Sequence, residues 1–250
     1  MPIQKTEGII LRRQDLRETS IVLTFYTRDF GKIKGIVRGV RGPRAGFAGG
    51  AFEVFALDDI IFYERKSGDI FTISQCDLSD YFAPIRESLE KLSYAGYVVE
   101  LLDSITSPGD KNSDIFRLLH NSLKLLSGDS SPRRVARIFE IKLLALAGLM
   151  PGLDRCVNCG IPAESNFRFS LHHGGLLCRA CLDTDRMAVS ILPGTVKFME
   201  HVRSSTFERA AMVKVSSEVG RELETLLRRY LDYHIERRLK TVQFMKELFA

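Results

Sequence analysis

Two pairs of cysteines constrain the fold of this chain more than any other feature of its sequence. Cys156-Val-Asn-Cys159 and Cys178-Arg-Ala-Cys181 are both CxxC motifs, and the eighteen residues 160–177 separate them. A CxxC places two thiolates on one tight turn, and two such turns complete a tetrahedron of sulfur ligands around zinc. Gly160 follows the first pair and allows the backbone to fold around the metal. The spacing therefore predicts one structural Zn²⁺ per chain, bound by Cys156, Cys159, Cys178 and Cys181.

The predicted zinc is structural because four sulfur ligands leave no coordination position for water. The segment between the pairs is similar to a zinc-ribbon hairpin, with His172 and His173 near its turn. Either histidine could replace a cysteine as a ligand, although we favour the interpretation that both are exposed residues of the turn. A nucleotide deaminase also uses a CxxC, but neither histidine is followed two positions later by the required glutamate. The remaining cysteine, Cys76, is predicted to be a buried, small apolar residue.

The first eighty residues have the pattern of β-strands. Five short runs rich in β-branched and aromatic residues are separated by turn-forming segments. Two of the connections are tight and contain glycine, residues 29–32 and 66–69, whereas the third is a long, basic, glycine-rich loop. Five strands within this length predict a small closed barrel, because closure removes the exposed edges.

From Pro84 onward the apolar residues recur with a helical period. One helix is predicted from Pro84 to Ile105, a second begins near Asn112, and a third begins at Ser131-Pro132 and ends at Gly152; these three would pack as a bundle. Pro193 begins another helix, and Ser217 caps a long last one. The predicted class is α+β, with a barrel domain at 1–80 and a helical domain at 81–250 that contains the zinc element at about 154–184.

The apolar segments are too short for a membrane protein. The longest nearly uninterrupted one, residues 143–150, falls far short of the ~20 residues that a spanning helix needs. The apolar run near the N-terminus has four residues, too few for a signal peptide. We therefore expect a cytoplasmic protein with no membrane partner.

No enzyme signature is present in the sequence. The motifs for triphosphate binding, dinucleotide binding and a nucleophile elbow are all missing, which predicts neither catalysis nor a small-molecule substrate. Asp58 and Asp59 are adjacent in a predicted strand and would point to opposite sides, so they cannot converge on a metal. A role in a turn or at a strand edge is expected for this pair.

Positive charge is concentrated at the N-terminus. The whole chain carries a net charge of +5, whereas residues 1–50 contain ten basic and four acidic side chains, a net charge of +6. Aromatic residues are interspersed with these cations, a combination that single-stranded nucleic acid requires. The alternative is an ordinary solvated barrel surface, with Phe25, Tyr26 and Phe30 pointing into the core. A second basic cluster near the C-terminus is interspersed with acidic residues, so intrahelical ion pairs explain it equally well.

The order of these parts resembles the RecO family of bacterial recombination mediators. The resemblance extends over essentially the whole chain and rests on short matches in a fixed order. At the N-terminus these are Gly8-Ile9-Ile10-Leu11, Glu18 with Ser20, Thr27, Gly31, Arg38-Gly39-Val40-Arg41, and Glu53 with Phe55. Further along they are Phe139-Glu140, Leu143-Leu144, Gly148, Pro151 and the first CxxC, then Tyr230 with His234, and Leu239-Lys240-Thr241, where the family more often has serine at the last position.

The resemblance implies an OB-fold barrel that binds single- and double-stranded DNA and anneals complementary strands. It also implies that the protein works with RecR, and with RecF in some species, to load recombinase onto DNA coated by single-strand-binding protein. Family members also bind the acidic, apolar tail of single-strand-binding protein. We therefore expect a non-enzymatic protein of DNA repair, recombination and the DNA damage response, located in the cytoplasm at the nucleoid. The alternative is a zinc-ribbon interaction protein whose barrel binds a protein or RNA partner.

Annealing requires no catalytic residue, because neutralising the phosphates of two strands lowers their repulsion. The predicted DNA-binding residues are therefore the cations of the barrel and one aromatic residue of its long loop. They are Arg12, Arg13, Lys32, Lys34, Arg38, Arg41 and Arg44 for the phosphates and Phe47 for a base.

Overall fold

The computed structural model describes residues 2–16, 18–40, 52–63, 70–163, 167–235 and 237–249. The strands are β1 (Ile3–Leu16), β2 (Ser20–Thr27), β3 (Gly31–Arg38), β4 (Leu57–Tyr63), β5 (Ile70–Asp80), β6 (Arg168–Ser170), β7 (Gly175–Leu177) and β8 (Val189–Ser190). The helices are α1 (Ala83–Arg86), α2 (Leu89–Ile105), α3 (Ser113–Ser127), α4 (Pro132–Leu146), α5 (Pro193–Ser204), α6 (Phe207–Met212), α7 (Ser217–His234) and α8 (Lys240–Leu248), with a short 3-10 helix at Arg179–Thr184.

Contacts between residues divide the chain into two compact units. Unit 1 comprises Met1–Pro132 and Leu239–Ala250, and unit 2 comprises Arg133–Arg238. The three helices predicted to form one bundle are therefore divided between the units, since α2 and α3 belong to unit 1 and α4 to unit 2. The predicted domain boundary at residue 80 lies within unit 1, and this boundary stays a prediction.

The five N-terminal strands form a closed barrel in the order β1-β2-β3-β5-β4. All neighbours are antiparallel except β3 and β5, which pair in parallel through residues 34–36 and 70–72. Strand β1 pairs with β4 through residues 3–9 and with β2 through residues 8–16, and the register of its ladder with β2 shifts between Ile10 and Arg12. The predicted barrel and the α+β class are thus confirmed.

Inward-facing and outward-facing residues alternate along the strands, and the inward-facing ones fill the barrel with apolar side chains. Every second residue of β2, including Ile21, Leu23 and Phe25, belongs to one buried cluster, together with Phe62 of β4. Cys76 of β5 belongs to the same cluster and is 2% exposed, which confirms its prediction as a small core residue. The tight connection between β2 and β3 is also confirmed, because Gly31 has φ +64° in a turn that few other residues tolerate.

Asp58 occupies an unexpected position on the inward side of β4. Its neighbour Asp59 points the other way and accepts a hydrogen bond from Ser79 Oγ at 2.9 Å, so the predicted divergence of the two carboxyls is correct. The expected strand-edge role is wrong for Asp58, because β4 pairs on both sides and the Asp58 side chain is fully buried. Burial raises its pKa to about 7, the charges of Asp59 and Asp77 add to this, and the Cys76 thiol offsets it only in part.

Asp58 is expected to make the folded chain less stable as pH rises. The unfolded carboxyl has a pKa near 3.8, so the stabilising effect of the raised pKa is complete below that value and is lost as pH rises through about 7. From pH 5 to about pH 7 the folded carboxyl stays mostly protonated while the unfolded one is ionised, and each pH unit costs about 1.4 kcal/mol, so the loss between pH 5 and pH 8 is about 2.5 kcal/mol. Urea unfolding at the two pH values measures this difference.

Asp58→Asn removes the titrating group and should make the free energy of unfolding less dependent on pH over this interval. Asp129→Asn is the matched control, because its carboxyl is exposed in the segment between α3 and α4, and it should retain the wild-type dependence. An unchanged pH dependence in the Asp58→Asn protein would show that Asp58 is not the responsible group.

The helices of unit 1 begin where their capping residues predict. Asn112 accepts hydrogen bonds from the backbone N–H groups of Asp114 and Ile115, which confirms the predicted start of α3. The single helix predicted from Pro84 to Ile105 is wrong, because the structure divides it into α1 and α2. Ser88 is the cause, since its side chain caps α2 by accepting the N–H of Lys91.

In unit 2, the predicted starts of α4 at Pro132 and α5 at Pro193 are confirmed. The predicted end of α4 at Gly152 is wrong: the helix ends at Leu146, and the following Gly148 takes φ +71°. Ser216, not Ser217, caps α7. The short α6 and the terminal α8 were not predicted, because neither is long enough to show a clear period. No helix in the described ranges combines the length and apolar character needed to cross a bilayer.

Candidate nucleic-acid surface and metal centre

The four cysteines of the two CxxC motifs converge in unit 2. Their sulfur atoms all lie within 4.8 Å of one another, and Cys159 Sγ is 3.6 Å from Cys178 Sγ. Zinc in a tetrahedron of thiolates has Zn–S distances of about 2.3 Å, which corresponds to S···S distances of about 3.8 Å. The arrangement therefore fits a tetrahedral metal ion. Zinc is the ion that this donor set favours.

Local backbone structure positions the sulfurs. Gly160 has φ +78°, and its N–H donates to the carbonyl of Cys156, which closes the first CxxC turn as the sequence predicted. The second pair begins at the end of β7, and the 3-10 helix brings Cys181 back toward Cys178. The β6–β7 hairpin between the pairs confirms the similarity to a zinc ribbon. Leu177, Ala188 and Phe167 pack against the cysteines and shield the site.

Hydrogen-bond donors around the sulfurs favour the thiolate form that a metal requires. The N–H of Cys178 donates to Cys156 Sγ at 3.3 Å, and Asn158 Nδ2 donates to Cys181 Sγ at 3.3 Å. Burial acts to raise the pKa of Cys156, but backbone N–H groups from Cys178, Cys159 and Asn158 outweigh burial and lower this pKa. The Cys156 sulfur is thus prepared to release its proton and bind a cation.

His172 and His173 lie in the turn between β6 and β7, where both are exposed. His172 Nδ1 is 3.2 Å from the hydroxyl of Tyr233, and His173 Nε2 is 3.4 Å from the carbonyl of Thr184. Within the part of the chain that the structure describes, the cluster of candidate ligands contains the four cysteines alone. The interpretation of the histidines as turn residues is therefore confirmed.

The predicted DNA-binding residues fall into three groups in the structure. Lys34 and Arg38 of β3 are exposed on the outer face of the barrel and form no ion pair with any described carboxylate. They are four residues apart on one strand, so their Cα atoms are separated by about 13 Å. Arg13 is also exposed, with its guanidinium 3.8 Å from Asp15 Oδ1.

Lys32 and Arg12 interact with helix α2 instead of facing open solvent. Lys32 Nζ donates to the carbonyls of Asp103 and Thr106, at 2.8 and 2.5 Å, and lies 3.2 Å from Asp103 Oδ1. Arg12 forms a second ion pair with Asp103 at 2.5 Å and keeps 41% of its side chain exposed. These bonds cap the C-terminus of α2. Because the Lys32 side chain is only 11% exposed, Lys32 is excluded from the proposed DNA surface.

The third group, Arg41, Arg44 and Phe47, lies outside the described residues, as does the predicted turn at 66–69. Phe25 is fully buried in the barrel core and Phe30 packs against the same core, so the interpretation as core side chains is correct for both. Tyr26 is also fully buried but lies outside this cluster, and its hydroxyl donates to the carbonyl of Asn112 at 3.4 Å.

The C-terminal basic cluster is partly neutralised within its own helix. Arg228 and Asp232 of α7 form an ion pair, with Nε 3.0 Å from Oδ2. Arg229 and Arg238 are exposed. Ion pairing within the helix therefore explains one member of the cluster and leaves others exposed to solvent.

A groove of about 760 Å³ lies beside the metal element in unit 2. Its apolar walls include Leu176 and Val196, and its cationic residues are Arg168, Arg179 and Lys197. The sequence did not reveal this groove, because its residues come from β6, β7, the 3-10 helix and α5. Asp103 was missed for the same reason: it is 71 positions from Lys32, and no local pattern connects them.

Comparison with known proteins agrees with this architecture. A family model described as Recombination protein O N terminal matches residues 1–82, and one described as Recombination protein O C terminal matches residues 86–243. The chain is 33% identical over 250 residues to the DNA repair protein RecO of Desulforamulus reducens, covering 100% of this chain and 96% of that relative.

Other relatives show the same extent of similarity. The DNA repair protein RecO of Pelotomaculum thermopropionicum is 34% identical over 245 residues, which cover 98% of this chain and 94% of the relative. That of Moorella thermoacetica is 32% identical over 246 residues, covering 98% and 91%. Because the family models and the full-length relatives agree along the whole chain, it belongs to the RecO family of DNA repair proteins.

Proposed function

We propose that this chain is a non-enzymatic recombination mediator that binds single- and double-stranded DNA through the outer face of its barrel. The observation that carries the proposal is the exposed pair Lys34 and Arg38, which no described carboxylate neutralises. The exposed part of Arg12 extends the positive charge onto β1, whereas Arg13, which pairs with the inward-facing Leu23, lies on the other face of that strand. Arg41 and Arg44 follow directly after β3 in sequence and add two further cations.

The register of the barrel supports a continuous surface. Arg12 pairs with Thr24, and Thr24 pairs with Lys34, so these three residues form a row across β1, β2 and β3. Ser20 pairs with Arg38 in a parallel row at the other end of the face. Directly opposed residues share one face of a sheet, which places Arg12, Lys34 and Arg38 on one face, where they can contact successive phosphates.

Annealing follows from the same charges without any catalytic group. Cations lower the repulsion between two complementary strands, and contacts to phosphates are independent of sequence, so bound strands can slide until their bases pair. We therefore propose that the chain anneals complementary strands and helps to load recombinase onto DNA coated by single-strand-binding protein. This activity places the chain in the cytoplasm, at the nucleoid.

The proposed protein partners are RecR and single-strand-binding protein, with RecF in some species, as the family resemblance implies. The groove in unit 2 supports the second of these, because its apolar walls carry three cations against two carboxylates, those of Asp154 and Glu200, and an apolar groove with net positive charge suits an acidic, apolar peptide tail. The proposed metal is one structural Zn²⁺ per chain, bound by Cys156, Cys159, Cys178 and Cys181. When bound, it would hold the two CxxC turns together and supply folding free energy.

Fluorescence anisotropy of a labelled single-stranded oligonucleotide across a salt series tests the proposed function. Each neutralised phosphate of a single strand contributes about −0.7 to the slope of log K against log salt, so three or more contacts predict a slope of about −2 or steeper. Binding that persists at high salt, or that strongly prefers RNA, would favour the zinc-ribbon interaction protein. Absence of binding at low salt would refute the DNA-binding proposal.

A further inference from the structure

Helix α7 carries an exposed polar stripe that the proposed barrel surface does not use. Arg221, Thr225, Arg229 and Tyr233 follow one another at intervals of four residues, and all four are exposed. Each step of four residues turns by about 40° around the helix axis, so the four residues cross the exposed side of α7 over about 120° while they rise by about 18 Å. We call these four residues the α7 stripe.

The α7 stripe is positive because most acidic residues of the helix are engaged elsewhere. Glu222 accepts the N–H of Leu192 at 2.9 Å, Glu224 forms an ion pair with Arg133 at 2.6 Å, and Asp232 binds Arg228. Glu218, in the first turn, is the remaining carboxylate of α7. By contrast, Arg221 and Arg229 form no ion pair with a described residue.

At its C-terminal end the α7 stripe presents a fixed aromatic ring. Tyr233 is 55% exposed. Its hydroxyl lies 3.2 Å from His172 Nδ1, and its ring meets that of His234 edge-on, with centroids 5.4 Å apart. Both ends of the side chain are therefore held, so that binding a ligand on the ring face costs little side-chain entropy. The hairpin adds the rings of His172 and His173, 5.0 Å apart.

We propose that the α7 stripe is a second contact surface for single-stranded DNA, with Arg221 and Arg229 at phosphates and Tyr233 stacked on a base. This inference rests on the proposed function. Cations spaced along one line beside an exposed ring match a single strand, which offers phosphates and unstacked bases together. A duplex keeps its bases stacked, so the ring would contribute nothing to duplex binding. A second strand surface on the same chain would assist annealing by holding two strands on one molecule.

The test uses the fact that the chain contains no tryptophan. Tyr233→Trp introduces a single tryptophan into the α7 stripe, and a base stacked on it should quench its fluorescence when oligothymidine is added to the full-length protein. Phe244→Trp is the matched control, because Phe244 of α8 is 48% exposed and lies outside the stripe. Anisotropy of the labelled oligonucleotide is measured in parallel, and circular dichroism checks that both variants fold.

We expect oligothymidine to quench the tryptophan fluorescence of the Tyr233→Trp protein strongly and that of the Phe244→Trp protein not at all. Adding Arg221→Glu and Arg229→Glu to the Tyr233→Trp protein should raise the oligothymidine concentration at half-quenching about tenfold. Unchanged fluorescence at concentrations where anisotropy shows saturated binding would overturn the inference and leave the proposed function intact. Equal quenching of the Tyr233→Trp and Phe244→Trp proteins would also overturn the inference. Quenching by polyglutamate, an anionic polymer without bases, and not by oligothymidine would overturn it as well. No anisotropy change in any protein would refute the proposed function itself, and the inference with it.

Discussion

Cys156→Ser protein is expected to purify without zinc and to lose the folded metal element of unit 2. Cys156 is 1% exposed and its sulfur accepts the N–H of Cys178. Serine keeps an oxygen that can accept this N–H but supplies no thiolate, so the variant loses one of the four metal ligands. Structural zinc contributes about 10–16 kcal/mol in isolated zinc-finger peptides. For a chain of this size, each kcal/mol of lost stability lowers Tm by roughly 2–4 °C. Loss of even part of the stabilisation by zinc therefore predicts a fall in Tm of about 10 °C or more.

Zinc content by mass spectrometry and thermal unfolding by circular dichroism measure the two effects on one sample. Cys76→Ser is the matched control, because Cys76 belongs to the barrel core and lies outside the metal cluster. It should retain about one zinc per chain even if the barrel becomes less stable. Retention of a full complement of zinc in the Cys156→Ser protein would contradict the four-cysteine site, as would a Tm of the wild-type protein that does not change when zinc is removed.

The second large effect is expected at the barrel surface. Lys34→Glu combined with Arg38→Glu should weaken the binding of a single-stranded oligonucleotide by about a hundredfold at moderate salt, because two phosphate contacts are replaced by repulsion. The slope of log K against log salt should become shallower by about 1.4, since each lost phosphate contributes about 0.7. Both side chains are exposed without ion-pair partners among the described residues, so the fold should not change.

The control for this experiment has the same net charge. Lys124→Glu combined with Lys246→Glu also replaces two exposed cations of unit 1, but these lie in helices α3 and α8 and not on a barrel strand. Anisotropy titrations of both variants separate a defined surface from a general effect of charge. Equal loss of affinity in the two proteins would contradict a specific site at β3, and full affinity in the Lys34 and Arg38 variant would locate the DNA surface elsewhere.

Much of the architecture follows from signals that are local in the sequence. The CxxC spacing predicted the metal cluster, because the geometry of a knuckle depends on four consecutive residues and the glycine after them. Asn112 and the prolines at 132 and 193 predicted three helix starts, since a cap satisfies donors within the next three residues. Helix ends were harder to predict: α1 and α2 are separate because Ser88 caps a new helix, although the apolar period continues through it.

Asp58 shows where local patterns fail. Alternation correctly separated its side chain from that of Asp59, but alternation alone does not say which of the two carboxyls faces the barrel interior. Only the closed barrel buries this carboxyl and raises its pKa. The groove of unit 2 and the neutralised acids of α7 are similar cases, because each depends on residues from separate elements.

Lys32 and Lys34 show most clearly what each level of structure decides. The sequence by itself determined that both lie on β3, two residues apart and therefore on the same face, and it assigned them the same role. The tertiary structure separated them, because α2 brings Asp103 and the carbonyl of Thr106 to Lys32 and leaves Lys34 exposed. Strand, face and charge are set by neighbouring residues, whereas the availability of a charge for a ligand depends on which distant carboxylate packs against it.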